Sequence, residues 1–373
     1  YLNKHIEENH TDLPMISGAI GYMTYDYGRK FEHIKSRHTF PLSMPSALFC
    51  FYEHYIVEDL EEKTIYLMAK GELAPPKESL TWLETMLDSP SKSQINTEEI
   101  HSIVEANFTK EEYMQAVDSM INYIVEGDMY IANMTQQLRI KSNKNPYEVF
   151  KYLRQHNPSP FGGYFNYGDF QIISASPERF IRMEDRWIET RPIKGTRKRG
   201  STKEEDLALR KELESSSKDQ SELLMIVDLE RNDLNRVCVP GSVKVTENFT
   251  VEAYATVFHL VSNIIGKLRE ELNVMDLIKS VFPGGSITGA PKIRTMEIID
   301  ELEHDSRGLY TGSIGYITLD GKCDFNIVIR TTVYQDGVYH LGVGGGITCE
   351  SDLEFEYEET LQKAKAILDA LEC

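Results

Sequence analysis

Apolar positions recur along the chain at two spacings, and each predicts a different element. Over residues 16–68 short apolar runs, 47–57 and 64–68 among them, are broken by glycine, proline and charged clusters, which predicts a β-rich start. Thr109-Lys-Glu-Glu112 has capping-box spacing, and Tyr113, Val117, Met120, Ile121 and Ile124 then follow at helical intervals up to Gly127. Residues 130–140 and 161–174 read as one strand each, 204–229 as one long charged helix, and 242–250 as another strand. Pro291 stands at the expected first position of a helix reaching Leu302, with Ile293, Met296 and Ile299 on one stripe. A last helix opens at Ser351-Asp-Leu-Glu354, again with capping-box spacing, and carries Leu353, Tyr357, Leu361, Ala364 and Leu368 on one face. Helices and strands intersperse without regular alternation, so the expected class is α+β.

Between Asp88 and Asn107 the chain turns polar, and this segment is the expected linker. It divides the chain into a β-rich N-terminal subdomain, 1–107, and a larger domain, 108–373. At 373 residues with 41% apolar and 27% charged side chains the composition is that of an ordinary globular protein. No run approaches the ~18 apolar residues of a membrane span, so no membrane association is expected. With 40 basic against 59 acidic residues the net charge is −19, which argues against nucleic acid as a partner and requires local basic pockets for any anionic substrate. Five cysteines without a Cys-x-x-Cys pair argue against a disulfide framework or zinc cluster, and the expected location is cytoplasmic. The chain opens Tyr-Leu-Asn-Lys-His with neither initiator methionine nor signal segment, so upstream sequence is expected to be missing.

Chemistry enters first at 189–200, where five basic residues stand against one acidic residue. Lys194 lies between Pro192 and Gly195, which predicts a tight turn, with Arg191 and Arg197 three residues to either side. Their charges would disfavour its protonation and leave a nucleophilic amine, whereas the alternative is a solvated basic loop. Glu222 shares a helical stripe with Met225 and Leu229, and a carboxylate among apolar neighbours needs a partner. Mg²⁺ asks for only one or two protein carboxylates, and Glu356 or Glu359, one turn apart, could supply the second. The competing reading of each glutamate is an exposed helix charge. Two glycine-rich stretches, 283–292 and 342–347, can present N–H groups to an anion or merely make sharp turns. Ala290-Pro291 excludes a Walker loop from the first. His259, in an apolar run, reads by default as a core histidine.

In combination these stretches resemble the chorismate-utilising enzymes, and within them the aminodeoxychorismate synthase component I subfamily. The resemblance is carried by Gly127-Asp128, Ser174-Ala-Ser-Pro-Glu-Arg-Phe180, Thr190-Arg-Pro-Ile-Lys-Gly-Thr196, Ser217-Lys-Asp219 and Ile226-Val-Asp-Leu-Glu-Arg-Asn-Asp-Leu234. The stretch 282–292, Gly312-Ser-Ile-Gly-Tyr316, Gly344-Gly-Gly-Ile347 and, nearer the start, Gly18-Ala-Ile-Gly-Tyr22 and Tyr25-Asp-Tyr-Gly-Arg29 extend it over nearly the whole chain. It implies a two-lobed α+β fold with large antiparallel sheets flanked by helices. It also implies a Mg²⁺ site at Glu222 and Glu359, with Glu356 beside them.

For the substrate, chorismate, the resemblance implies Arg330 and Tyr310 at one end and the N–H groups of Gly344, Gly345 and Gly346 at a carboxylate. It assigns Gly195, Thr196 and His259 to the same pocket. Glu178 matches the family's general acid and Lys194 its covalent nucleophile, where anthranilate-forming members typically carry alanine. The implied reaction is amination at C4 to 4-amino-4-deoxychorismate, as in para-aminobenzoate and folate biosynthesis. Water-adding relatives use a lysine where this chain has Ile131, so that chemistry lacks its base. Ile131 and Gln137 depart from the glutamine and arginine more common at those places. The N-terminal segment that helps relatives form a tryptophan pocket is not matched. No Gly-x-Cys-x-Gly elbow is present, so ammonia is expected from a separate glutamine amidotransferase subunit.

Overall fold

The computed structural model describes residues 2–89, 102–254 and 257–372. In chain order its strands are β1 (Gly18–Met23), β2 (Ala47–Phe51), β3 (His54–Asp59), β4 (Thr64–Ala69), β5 (Ser102–Ala106), β6 (Ile131–Ser142), β7 (Phe161–Asn166), β8 (Gln171–Ser176) and β9 (Arg179–Glu184). They continue as β10 (Trp187–Thr190), β11 (Ile193–Lys198), β12 (Lys244–Ala253), β13 (Val257–Lys267), β14 (Gly289–Ala290), β15 (Ser313–Thr318), β16 (Cys323–Asn326), β17 (Thr331–Gln335) and β18 (Val338–Ile347). The helices are α1 (Tyr25–Glu32), α2 (Pro76–Leu87), α3 (Lys110–Val125), α4 (Pro146–His156), α5 (Lys203–Glu214), α6 (Ser217–Asn235), α7 (Val274–Val281), α8 (Lys292–Leu302) and α9 (Leu353–Glu372).

Among the described residues two large sheets form, both antiparallel in the ladders they show, as expected of the α+β class. One has nine strands in the order β11-β13-β10-β9-β16-β15-β1-β2, with β12 also on β13; the other has seven, β14-β6-β18-β17-β8-β7, with β5 on β6. The strands β1 and β2 extend the nine-stranded sheet through the β1–β15 ladder, Gly18 facing Thr318. Of the expected linker, residues 90–101 lie outside the described residues. An apolar core joins α6 and α7 to the larger sheet through Leu223, Val227, Leu260, Ile264, Leu277 and Phe282, whereas α4 and α9 bury Val149, Leu153, Ala364 and Ile367 against the smaller one.

Local signals account for the ends of several elements. Thr109 and Glu112 form the expected capping box of α3. At α9 the cap differs from expectation: Asp352, not Ser351, accepts from the Phe355 N–H at 2.9 Å, and the Ser351 hydroxyl instead donates to Glu356 at 2.7 Å. The single helix expected over 204–229 is two, because Ser215 closes α5 and Ser216 caps α6 through the Asp219 N–H. Serine side chains compete for backbone hydrogen bonds, so a Ser-Ser-Ser run is a natural break. The single strand expected over 161–174 is the hairpin β7–β8, turning where Gly168 takes φ +86° and its N–H bonds Asn166 Oδ1. Pro291 sits one residue before α8 rather than inside it.

Candidate active site

Lys194 lies on a strand, not on the expected turn. It faces Leu260 of β13, while Thr196 faces His259; the register slips between them at Gly195, which takes φ +66°. A side chain there would also meet Asp219 and Leu213 at 2.8 Å, so this bulge needs glycine. Nor is Lys194 surrounded by cations: Arg191 pairs with Glu247 and Glu252, and Arg197 with Glu212 and Asp219. Its electrostatic neighbours are the carboxyls of Glu178 and Glu222.

One residue connects the amine to the acid. Lys194 Nζ donates to the Ser286 carbonyl at 3.3 Å, and the Ser286 hydroxyl donates to Glu178 Oε1 at 2.6 Å. Ser286 sits in a single 3₁₀ turn, Gly285–Ile287, inside the glycine-rich stretch that follows α7. Glu178, between β8 and β9, is 6% exposed. Burial raises its pKa above the ordinary carboxylate range, against the opposing pull of Ser286, Lys194 and Lys363. Sequence reasoning missed Ser286 and Lys363. Ser286 had a weak signal in its glycine-rich setting; Lys363 stands at i+4 from Glu359 and pairs with it at 3.0 Å.

On β18 the three glycines face in alternating directions. Lys363 Nζ donates to Gly344 O at 2.8 Å, while opposite on β6 the N–H of Thr135 goes to Glu303 and that of Asn133 to Thr288. In an antiparallel ladder a residue's N–H and C=O point the same way, so the N–H groups of Gly344 and Gly346 face away from β6 and Gly345 bonds to it. The ladder between β17 and β18 ends at Leu341, so no strand of that ladder covers those two N–H groups. Added Cβ atoms show what each glycine admits. At Gly345 one would lie 2.7 Å from Glu359 Oε2 and 3.0 Å from Glu356 Oε2; at Gly346 it would lie 3.4 Å from Lys194 Nζ and 4.0 Å from both Glu222 Oε2 and Ile131 Cδ1.

Burial raises the pKa of Glu222 and pushes that of Glu356 up to about 6, and the charge of Glu359 adds to both. Carboxylates held at this cost need a cation or proton. Among the described residues no group of three or more His, Cys, Asp and Glu side chains could hold a metal ion. A hard dication that takes two carboxylates and completes its shell with water still fits this donor set, and the cleft over Gly345 that a Cβ would fill is consistent with it.

At the other end His259 Nδ1 lies 2.9 Å from Thr196 Oγ1, and burial, helped by Arg330, pulls its pKa down to about 4. Arg330 and Thr311 both have positive φ, at 50° and 59°, and Arg330 makes no side-chain hydrogen bond or ion pair among the described residues. Burial lowers the pKa of Arg330, with Glu178 opposing. Tyr310 is buried against Gly342, where a Cβ would meet its ring at 2.1 Å. Among the described residues the buried Nε2 of Gln137 has no hydrogen-bond partner. A cavity of about 380 Å³ lined by Asp26, Arg29, Lys30, His33 and Ser306 shares no residue with this constellation. Among the described residues no helix is long and apolar enough to cross a membrane.

The chain is 41% identical to aminodeoxychorismate synthase component 1 of Bacillus subtilis over 98% of its own length and 79% of that protein's. It is 39% identical to anthranilate synthase component 1 of Cereibacter sphaeroides, over 97% and 75%. The solved anthranilate synthase component I of Streptococcus pneumoniae superposes with a TM-score of 0.89 at 32% identity, covering 98% of this chain and 84% of that one. A family described as chorismate binding enzyme matches residues 1–369. This chain belongs to the chorismate-binding enzymes.

Proposed function

We propose that the chain aminates chorismate at C4 with ammonia, delivered by a separate glutamine amidotransferase subunit, to give 4-amino-4-deoxychorismate. The observation that carries this reading is the Lys194–Ser286–Glu178 chain of contacts, which holds an amine and a buried carboxyl on one turn. Arg330, Tyr310 and the N–H groups of Gly344 and Gly346 receive the substrate's carboxylates, and neutral His259 and Thr196 line the wall beside them. Glu222 and Glu359, with Glu356 beside them, would hold Mg²⁺. When bound, that ion neutralises a substrate carboxylate as the C4 hydroxyl leaves.

Deprotonated Lys194 adds through Nζ at C2, both ring double bonds shift by one position, and the C4 oxygen leaves as water with the proton of Glu178. Ammonia then attacks C4, both double bonds shift back, the C2–N bond breaks to release Lys194 as its neutral amine, and the new C4 ammonium returns a proton to Glu178. Summed, chorismate and ammonia give aminodeoxychorismate and water.

Product analysis with chorismate, Mg²⁺ and an ammonium salt should find aminodeoxychorismate with the wild type. Lys194→Ala should lose it while still binding chorismate in calorimetry. Undiminished amination by that variant refutes the covalent role, and anthranilate with pyruvate from the wild type would assign the sister reaction instead.

A further inference from the structure

Glu230, on α6 two turns past Glu222, has no part in the site so far. It is partly buried, yet its carboxyl end turns inward, and its Oε2 lies 2.9 Å from Thr190 Oγ1. The same hydroxyl oxygen lies 2.8 Å from the Phe180 carbonyl. A hydroxyl has one proton, and a backbone carbonyl can only accept. Both contacts can be full two-centre hydrogen bonds at once only if Thr190 donates to Phe180 and Glu230 itself donates to Thr190; otherwise one proton is shared weakly between two acceptors. The two-centre arrangement makes Glu230 the neutral acid.

The surroundings agree. The nearby charges that act on Glu230 are Asp233 on its own helix, Glu178 beyond β8, and Lys292 of α8. Lys292 is the one cation among them, and its ammonium already serves Asp233, the Val281 carbonyl at 2.9 Å and the Pro283 carbonyl at 2.9 Å, which uses all three of its protons. Glu230, Thr190, Asp233 and Gly285 line a cavity of only about 10 Å³, room for one water at most, so an ionised carboxylate there could not be hydrated. Burial pushes its pKa up to about 8, and Glu178 adds to this whenever it is ionised.

Its place in the fold gives this acid a role. A Cβ on Gly285 would lie 2.9 Å from Leu229 Cδ2 and 3.4 Å from Glu230 Cγ, so these two side chains form the floor beneath the turn that carries Ser286. We propose that Glu230 is a positioning residue: a neutral carboxylic acid, anchored to Thr190, that supports the turn through which Ser286 holds Lys194 and Glu178. The catalytic consequence rests on the roles given to Lys194 and Glu178 above.

Three measurements test it. In the infrared difference between wild type and Glu230→Gln at neutral pH, a protonated-carboxyl stretch belonging to the wild type is expected, fading as pH passes about 8; a carboxylate stretch in its place overturns the proton assignment. Amide exchange of residues 285–287 should quicken in Glu230→Leu, which cannot donate to Thr190, and stay slow in Glu230→Gln, whose amide can; equal exchange in all three overturns the positioning role. Under turnover Glu230→Leu should lower kcat for chorismate consumption about tenfold with KM little changed, and Glu230→Gln should recover most of it. A wild type that consumes no chorismate counts against the proposed function, and the first two measurements still decide the role of Glu230.

Discussion

Arg307 and Arg330 are both arginines withdrawn from water, and the protein treats them in opposite ways. Arg307, 2% exposed, has every direction of its guanidinium engaged: Glu303 at 2.7 and 3.0 Å, the Ile287 carbonyl at 2.7 Å, the Asn133 carbonyl at 2.5 Å, and the Tyr25 ring 4.6 Å from Cζ. Arg330 is partly buried beside Glu178 and His259, and among the described residues its side chain bonds to nothing. A charge that loses hydration without gaining a partner is a standing cost. The fold bears that cost at Arg330, where an anionic ligand can repay it, and nowhere in the Arg307 cluster. That cluster instead fixes the site from behind, because the Ile287 carbonyl it holds belongs to the turn of Ser286.

Substitutions test the contrast. Arg307→Met should cost about 3–5 kcal/mol of unfolding free energy in denaturant titration, since Glu303 is left as an unpaired buried carboxylate. Arg307→Met with Glu303→Leu should recover much of that loss; no recovery would mean that the pair matters for more than its charge balance. Arg330→Met should leave stability unchanged or slightly higher and raise KM for chorismate about tenfold or more, the value of a charge-assisted hydrogen bond at 1.5–3 kcal/mol. If it instead destabilises the fold, Arg330 is framework after all. Gly345→Ala should have the smallest effect on the fold, because the new methyl meets side-chain ends, those of Glu359, Glu356 and Lys363, and no backbone. It should nevertheless weaken any Mg²⁺ dependence about tenfold, and an unchanged magnesium titration would remove those glutamates from the metal site.

The sequence alone determined what depends on neighbours a few residues apart. The capping box at Thr109 and Glu112 and the α+β class were legible because hydrogen bonds one turn long and a 3.6-residue period are written locally, whereas the face that α9 buries runs through Thr360, Ala364, Ile367 and Leu371 and shares only Ala364 with the expected stripe, on which Leu361 is exposed. The family was legible because its strings are contiguous. Tertiary structure decided the rest. Lys194 meets Ser286 across 92 positions and Ser286 meets Glu178 across 108, so no local pattern records them. The arginines that flank Lys194 in sequence pair with Glu247 and Glu252 of β12, Glu212 of α5 and Asp219 of α6, carboxylates that only the fold brings to them. The ladder, not the composition of Gly344-Gly-Gly346, chose which N–H groups remain free, since that choice depends on which edge β6 occupies. A charge's sign is set by its own residue, and what it pairs with is set by the fold.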